Sequence, residues 1–337
     1  MTEQVLILGG GYAGAYAALG AAHTRGDASI EIVLVSAEPD FVNRPRLYEP
    51  NPGAHLRHPL APMLERIGAS FRLGRVTRID FNTRRVSVAD GATLPWDRLV
   101  IALGSQTERP SVPGIDRAFD VDSYAGALAF NRHLKTLPAG ATITVIGSGF
   151  TGLELATELA DRYRVVLIER ADVIAPSLGE GPRATIARAL KDLKIQVRLN
   201  TTLDRIDGET TVWCGGMAAH PLTRTFPAER DALGRLVTEP DLAVRGVRDV
   251  YAAGDVAHAM TDDEHPARMS CQHAIKLGQF AGHNAMNDLL GRPTVPYRQP
   301  VYRMCLDLGG AGRRDYRGMG AQRREVRHGS EGAQTRD

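Results

Sequence analysis

Paired cysteines are missing from this chain: Cys214, Cys271 and Cys305 stand far apart, with no CxxC or CxxxxC between them. That spacing excludes a disulfide framework and a zinc knuckle, and it fits a reducing compartment. Long apolar runs are missing as well. No window approaches the roughly 18 apolar residues of a spanning helix. The first apolar strand begins after four residues, which leaves no room for a secretory leader. A strong charge of either sign is also absent. The formal net charge is +2, and residues 311–337 alone carry seven Arg against four acids, so the rest of the chain is close to neutral. Such a body lacks the basic surface of a nucleic-acid binder. These absences lead to the expectation of a cytoplasmic globular protein, and 337 residues suffice for about two domains.

What the chain does have is glycine in one repeated arrangement. Val5-Leu6-Ile7-Leu8 runs into Gly9-Gly10-Gly11-Tyr12-Ala13-Gly14 and a helix-like AYAALGAA, and TITVIGSGFTGLELA over 142–156 repeats the pattern with Gly147, Gly149, Phe150, Thr151 and Gly152. In a strand–turn–helix setting the first glycine permits the tight turn, the second lets the backbone approach a pyrophosphate, and the third lets helix and strand pack closely. The phosphates then lie over free N–H groups at the positive end of the helix. An acid about 20 residues later accepts hydrogen bonds from ribose hydroxyls. In the second copy VVLIE ends at Glu169, which repels a 2′-phosphate and favours NADH over NADPH, a preference that neighbouring Arg170 weakens without reversing. In the first copy IVLV ends at Ser36, so the ribose role falls to Glu38. Two copies predict two dinucleotides.

The remaining segments order these units. FRLGRVTRID and RRVSVADG alternate like antiparallel strands, RLVIALG (98–104) is a buried strand ending at glycine, and the proline-rich TERPSVPGIDR (107–117) reads as an interdomain connection. After the second fingerprint come YRVVLIER, a helix near 181–193, IQVRLN and TTVWCGG, and then DVYAAGDVA (249–257) leads into a core helix near 270–290. Beyond residue 311 there is no Leu, Ile, Phe or Lys and only one Val, a composition expected to build no core element.

Trp96-Asp97-x-Leu99-Val100-Ile101-Ala102-x-Gly104-Ser105 and Asp249-Val250-Tyr251-Ala252-Ala253-Gly254-Asp255-Val256-Ala257, together with the two fingerprints, resemble the two-dinucleotide-fold flavoprotein reductases over roughly residues 3–310. The resemblance implies an α/β fold of two Rossmann-like domains, with the NAD domain inserted in the FAD domain. The expected parts are residues 1–108 and 247–296 for FAD, 109–246 for NAD, and an incomplete C-terminal region over 297–337 whose last part, 311–337, is unstructured. It places FAD against Gly9–Gly14, Glu38, Arg44, Pro45, Val76, Ala102, Gly104, Gly254 and Asp255, with Asp255 bonded to the ribitol. Gly147, Gly149, Phe150, Thr151, Gly152, Glu169 and Gly216 then fall to NADH.

Within that family, the absence of paired cysteines excludes the disulfide reductases and counts against sulfide–quinone reductases. Ferredoxin-type and apoptosis-inducing-factor-like reductases carry Arg-Pro-Pro-Leu-Ser-Lys after the second strand, whereas here Arg44, Pro45 and Leu47 are followed by Glu49 in place of the Lys. The Leu-Tyr-Glu ending, Gly152-Leu153-Glu154-Leu155-Ala156, WCGGMAAHPLTR (213–224) and SCQHAIKLGQ (270–279) are similar to type II NADH dehydrogenases. That branch implies hydride transfer from nicotinamide C4 to flavin N5, with electrons passing on to a quinone or another two-electron acceptor. Glu154 is then expected at the meeting of the two rings and Gln272 on the acceptor side, where Lys276 departs from a family glutamine. The branch also implies a homodimer and peripheral contact with the inner face of a membrane, both through a C-terminal domain that this chain replaces with an Arg-rich segment. A reading-frame slip near Gly310–Arg313 would produce such a segment. Two alternatives stand beside this reading: a reductase for a ferredoxin or rubredoxin partner, and a poorly active nucleotide-binding flavoprotein serving as a redox sensor. No metal site is expected.

Overall fold

The computed structural model describes residues 2–207, 210–299, 301–317 and 324–326. Two parallel sheets organise it. The first has the order Val250–Ala252, Arg98–Ile101, Glu3–Leu8, Ile30–Ser36, Ser70–Leu73. The second has the order Gln196–Arg198, Arg164–Ile168, Thr142–Ile146, Thr211–Trp213. In each, the fingerprint strand is central, and a strand buried on both faces must be apolar throughout. Val5, Leu6, Ile7 and Leu8 accordingly have no exposed surface, and Ile143 and Val145 have none either.

Backbone-to-backbone contact between two helices closes the first unit. Helix Tyr12–Arg25 lies against helix Cys271–Leu289. A Cβ on Gly278 would stand 2.2 Å from the Ala13 carbonyl oxygen, and one on Gly282 would stand 1.9 Å from that of Ala17. Only glycine allows this approach, which ties the start of the chain to a segment more than 250 residues later.

A two-stranded antiparallel ribbon, Ser105–Thr107 with Met217–Ala219, carries the chain out to the second sheet and back. Packing bears on the expected span 109–246. Ala219, Phe226, Leu236 and Val244 share a core with Leu6, Leu8, Leu99 and Ile101, so residues from Ala219 onward pack with the first sheet. Proline and glycine mark the outgoing crossing, and Gly215-Gly216 marks the return as a turn without saying which core the next residues join.

Two expectations are corrected. Ser70–Leu73, grouped by its alternation with antiparallel strands, pairs in parallel with Ile30–Ser36 at the sheet edge. Alternation of apolar and polar residues reports a strand with one face toward solvent and says nothing of whether its neighbour runs parallel or antiparallel. Within this stretch Val76–Asp80, Arg85–Val88 and Thr93–Pro95 pair antiparallel with one another. The second correction concerns the Arg-rich end. Arg313–Arg317 pairs with Arg303–Asp307 and with Arg324–Val326. Ladder hydrogen bonds need no apolar side chains when the partner strand supplies them, here Met304 and Leu306, packed into the second unit's core. The rest of the expected unstructured segment, 318–323 and 327–337, lies outside the described residues. Among the described residues no helix is long and apolar enough to cross a membrane.

Candidate functional site

Two cradles with the same backbone define the site. In the first, the Gly9 N–H donates to Val35 O at 2.8 Å and the Ala102 N–H donates to Leu8 O at 2.8 Å. In the second, the Gly147 N–H donates to Ile168 O and the Cys214 N–H to Ile146 O, both again at 2.8 Å. Each helix, Tyr12–Arg25 and Phe150–Leu159, starts from a glycine N-cap that supplies no side-chain acceptor, and neither has an acid in its first turn. The leading N–H groups are therefore left to a ligand.

The glycines divide their work as the spacing predicts. A Cβ on Gly14 would lie 1.8 Å from the Gly9 carbonyl oxygen, and one on Gly152 would lie 1.9 Å from that of Gly147, so the third glycine serves helix–strand packing. Around the middle glycines, Gly11 and Gly149, an added Cβ would meet no atom within 4 Å. Each faces open space where a pyrophosphate can approach, and the donor set suits that anion. Two strand-end glycines mirror each other across the units, Gly104 at φ 72° and Gly216 at φ 68°. Dinucleotides fit both cradles by these criteria.

The predicted first-cradle residues converge from four chain segments. Asp255 follows Gly254, whose own Cβ would stand 2.7 Å from Ala13 Cβ, so this turn is seated on the fingerprint helix. The Asp255 Oδ2 accepts from Ser105 Oγ at 2.6 Å and lies 3.9 Å from Arg44 Nη1. Burial pushes its carboxyl upward, while the Ser105 hydrogen bond and the Arg44 charge oppose that shift. Arg44 also donates to Ser105 Oγ at 3.2 Å and, through Nε and Nη2, to Asp122, whose other oxygen accepts from the Thr107 N–H. Tyr12 donates to Asn43 Oδ1, next to Arg44 and Pro45. Val76 is half-buried beside the core that holds Leu6 and Leu8. Glu38 is exposed just past the strand end, with its N–H donating to Ser36 Oγ at 3.2 Å.

The two units meet at the start of helix Cys271–Leu289. Asp255 and Glu154 both act electrostatically on the Cys271 thiol, which burial pushes up, and Tyr12 feels Cys271 in turn. Glu154 is half-buried, and its Oε1 accepts from the Asp307 N–H at 3.1 Å. Burial raises its carboxyl to about 8, with the Asp307 hydrogen bond opposing. Gln272 Oε1 accepts from the Arg303 N–H at 3.1 Å, so both proposed catalytic side chains rest on the strand Arg303–Asp307. Lys276 is exposed. His273 is buried, stacked on Tyr302, and its Nδ1 accepts from the Arg268 N–H, while burial lowers it to about 4. It is a neutral core residue at physiological pH. The three cysteines are free, and no metal-holding cluster occurs among the described residues.

In the second cradle Glu169 Oε2 accepts from the Ser148 N–H and Oγ, and two residues of the two cradles, Asp122 and Ser148, escaped the sequence reading. Asp122 lies in an unremarkable DVDS stretch, and its link to Arg44 exists only because the crossing ribbon folds back on the first unit. Ser148 occupies a position that the fingerprint leaves unspecified; the acid pattern ending at Glu169 was the signal that could have pointed to it.

Similarities to known proteins agree with this geometry. A NADH dehydrogenase-like protein of Mycobacterium tuberculosis (strain ATCC 25618 / H37Rv) is 38% identical, with 92% of this chain and 86% of that protein covered. The demethylphylloquinone reductase NdbB of Synechocystis sp. (strain ATCC 27184 / PCC 6803 / Kazusa) is 31% identical over 91% of this chain and 84% of its own length. In fold, the sulfide:quinone oxidoreductase of Aquifex aeolicus superposes with a TM-score of 0.80 at 16% identity, covering 96% of this chain and 86% of that one. FAD and NADH are the cofactors of proteins built this way, and the two cradles fit them. The profile described as Pyridine nucleotide-disulphide oxidoreductase matches residues 3–278, so the chain belongs to the pyridine nucleotide-disulphide oxidoreductase family, as a NADH oxidoreductase without a cysteine pair.

Proposed function

We propose that this protein is an FAD-dependent NADH dehydrogenase that delivers electrons to a quinone-type acceptor. When bound, FAD supplies the two-electron chemistry between NADH and the acceptor. The chain's own residues bind, orient and handle protons. Gly9–Gly14, Gly254 and Asp255 hold the flavin nucleotide, with Glu38 on its ribose and Arg44, Pro45, Val76, Ala102 and Gly104 along its length. Gly147, Gly149, Phe150, Thr151, Gly152 and Gly216 hold NADH, with Glu169 beside its adenosine ribose.

The observation that carries the acceptor assignment is Glu154. A carboxyl raised to about 8 keeps its proton at neutral pH and can release it near the site. A quinone takes up two protons with its two electrons, whereas an iron–sulfur partner takes none, so a proton held here serves the first and is idle for the second. Gln272 has its Oε1 committed to the Arg303 N–H and would meet the acceptor through its amide NH2. Peripheral contact with a membrane, where quinones reside, and self-association belong to the same reading.

Steady-state NADH oxidation by the purified flavoprotein, with menadione, ferredoxin and oxygen compared side by side, tests the assignment. Menadione should be reduced fastest. A menadione rate no higher than that with oxygen would overturn it, and rapid flavin bleaching by NADH followed by slow menadione reduction would point to a redox sensor instead.

A further inference from the structure

The second cradle contains a hydroxyl whose partners give it a task. Ser148 has no exposed surface. Its Oγ donates to Glu169 Oε2 at 2.6 Å, and its backbone N–H donates to the same oxygen at 2.9 Å. Ser148 Oγ accepts in turn from the Ala175 N–H at 3.0 Å, where the buried Ala175 sits in the left-handed region at φ 53°. The other carboxylate oxygen, Oε1, accepts from the Ala171 N–H at 2.9 Å. One serine therefore ties together the fingerprint turn, the strand end and the loop that follows.

An ionised carboxylate has about four acceptor sites. Ser148 N–H, Ser148 Oγ and the Ala171 N–H occupy most of them. Glu169 retains little capacity to receive both hydroxyls of a ribose, but it retains its full charge. Burial opposes ionisation, yet the hydrogen bonds from Ala171 and Ser148 outweigh it and hold the carboxyl below the usual range. The first cradle has no such device. A Cβ at Gly10, the position matching Ser148, would lie 2.6 Å from Ser36 Oγ and 2.5 Å from Leu60 Cδ1, and its strand ends in that serine rather than in an acid.

We propose that Ser148 is a positioning residue that makes this protein select NADH over NADPH, by fixing the Glu169 carboxylate so that it repels a 2′-phosphate rather than by strengthening the grip on the NADH ribose. The inference rests on the second cradle being the NADH site. Selectivity of this kind is built against the wrong ligand. It predicts that removing the charge helps NADPH far more than it harms NADH.

Calorimetric titration of NAD+ and NADP+ into the flavin-loaded wild type, Ser148→Ala, Ser148→Gly and Glu169→Gln provides the test, with NADH and NADPH oxidation rates as a second readout. Ser148→Gly reproduces the residue that the first cradle tolerates at this position, so it guards against a misfolded alanine variant. Glu169→Gln should tighten NADP+ by on the order of tenfold and change NAD+ by less than about threefold. The two Ser148 variants should narrow the NAD+/NADP+ ratio in the same direction by a smaller factor. A Glu169→Gln protein that loses NAD+ affinity with NADP+ unchanged would overturn the repulsion mechanism. Ser148 variants with the wild-type ratio would remove Ser148 from it. Wild-type protein that binds neither nucleotide would instead defeat the NADH-site reading, and this inference with it.

Discussion

The first and second cradles share one backbone, and among the matching side chains that differ, three change the chemistry: Gly10 against Ser148, Ser36 against Glu169, and Tyr16 against Glu154. They differ also in how they are walled. The first draws on residues 9–14, 44, 105 and 254–255 and is braced by the long helix Cys271–Leu289. The second is assembled almost wholly from residues 142–216. The lesson is that the glycine turn supplies a pyrophosphate seat and little else. Enclosure by distant segments suits a cofactor that stays, whereas a local, open seat with a charged gatepost suits a nucleotide that comes and goes.

The largest effect should come from filling each seat. Gly11→Val and Gly149→Val add a side chain into open space at extended backbone, φ −81° and −72°, so both should fold. Gly11→Val should purify colourless. Gly149→Val should keep its yellow colour but need at least about tenfold more NADH for half-maximal rate, a loss of about 1.4 kcal/mol or more. A yellow Gly11→Val protein with normal activity would break the comparison at its root.

Next in size is the packing glycine. Gly14→Ala and Gly152→Ala each push a Cβ onto a backbone oxygen, at 1.8 and 1.9 Å, and each should cost about 2–3 kcal/mol or more in urea unfolding. Similar losses in the two units would confirm a common scaffold, and a tolerated alanine in one would separate them.

Glu154→Gln sharpens the difference with Tyr16. The folded carboxyl at about 8 lies above its unfolded value of 4.5. The unfolded chain therefore loses this proton first, and wild-type stability falls as pH rises from 4.5 to about 8. Glutamine carries no such penalty. The variant should match the wild type near pH 4.5 and melt about 2 °C or more higher at pH 8.5, while its quinone reduction loses the pH break near 8. Parallel melting curves across that range would show that the carboxyl is not held neutral. The smallest effect belongs to Ser36→Ala, which removes only the acceptor for the Glu38 N–H and should cost about 1 kcal/mol or less, leaving nucleotide choice unchanged in NADH and NADPH assays.

Much of the fold was legible because glycine spacing and apolar strands are local steric requirements. The two fingerprints, Arg164–Ile168, Arg183–Asp192 and the helix Cys271–Leu289 stand where the pattern placed them. The return crossing was legible only as a turn at Gly215-Gly216, since glycine punctuation does not say which core the next residues join. Helix Tyr124–Leu134 escaped notice although Ser123 caps it, since the stretch between the proline-rich connection and the second fingerprint received no reading. The strand Arg313–Arg317 was hidden by a composition that its partner compensates. Within the site, residue types were legible and their partners were not.

The sequence by itself determined that two glycine turns of the anion-binding pattern exist, which strand ends in an acid, and that no CxxC or CxxxxC pair is present, because each of these patterns is defined over residues within a few positions of one another. Only the tertiary structure decided that Arg44 reaches Asp122 and Ser105 reaches Asp255, that Ser148 and Ala171 occupy Glu169, and that Glu154 leans on Asp307 out of full contact with water. Hydrogen-bond partners and desolvation depend on what folding brings alongside a group, and that is a property of the packed chain rather than of any segment.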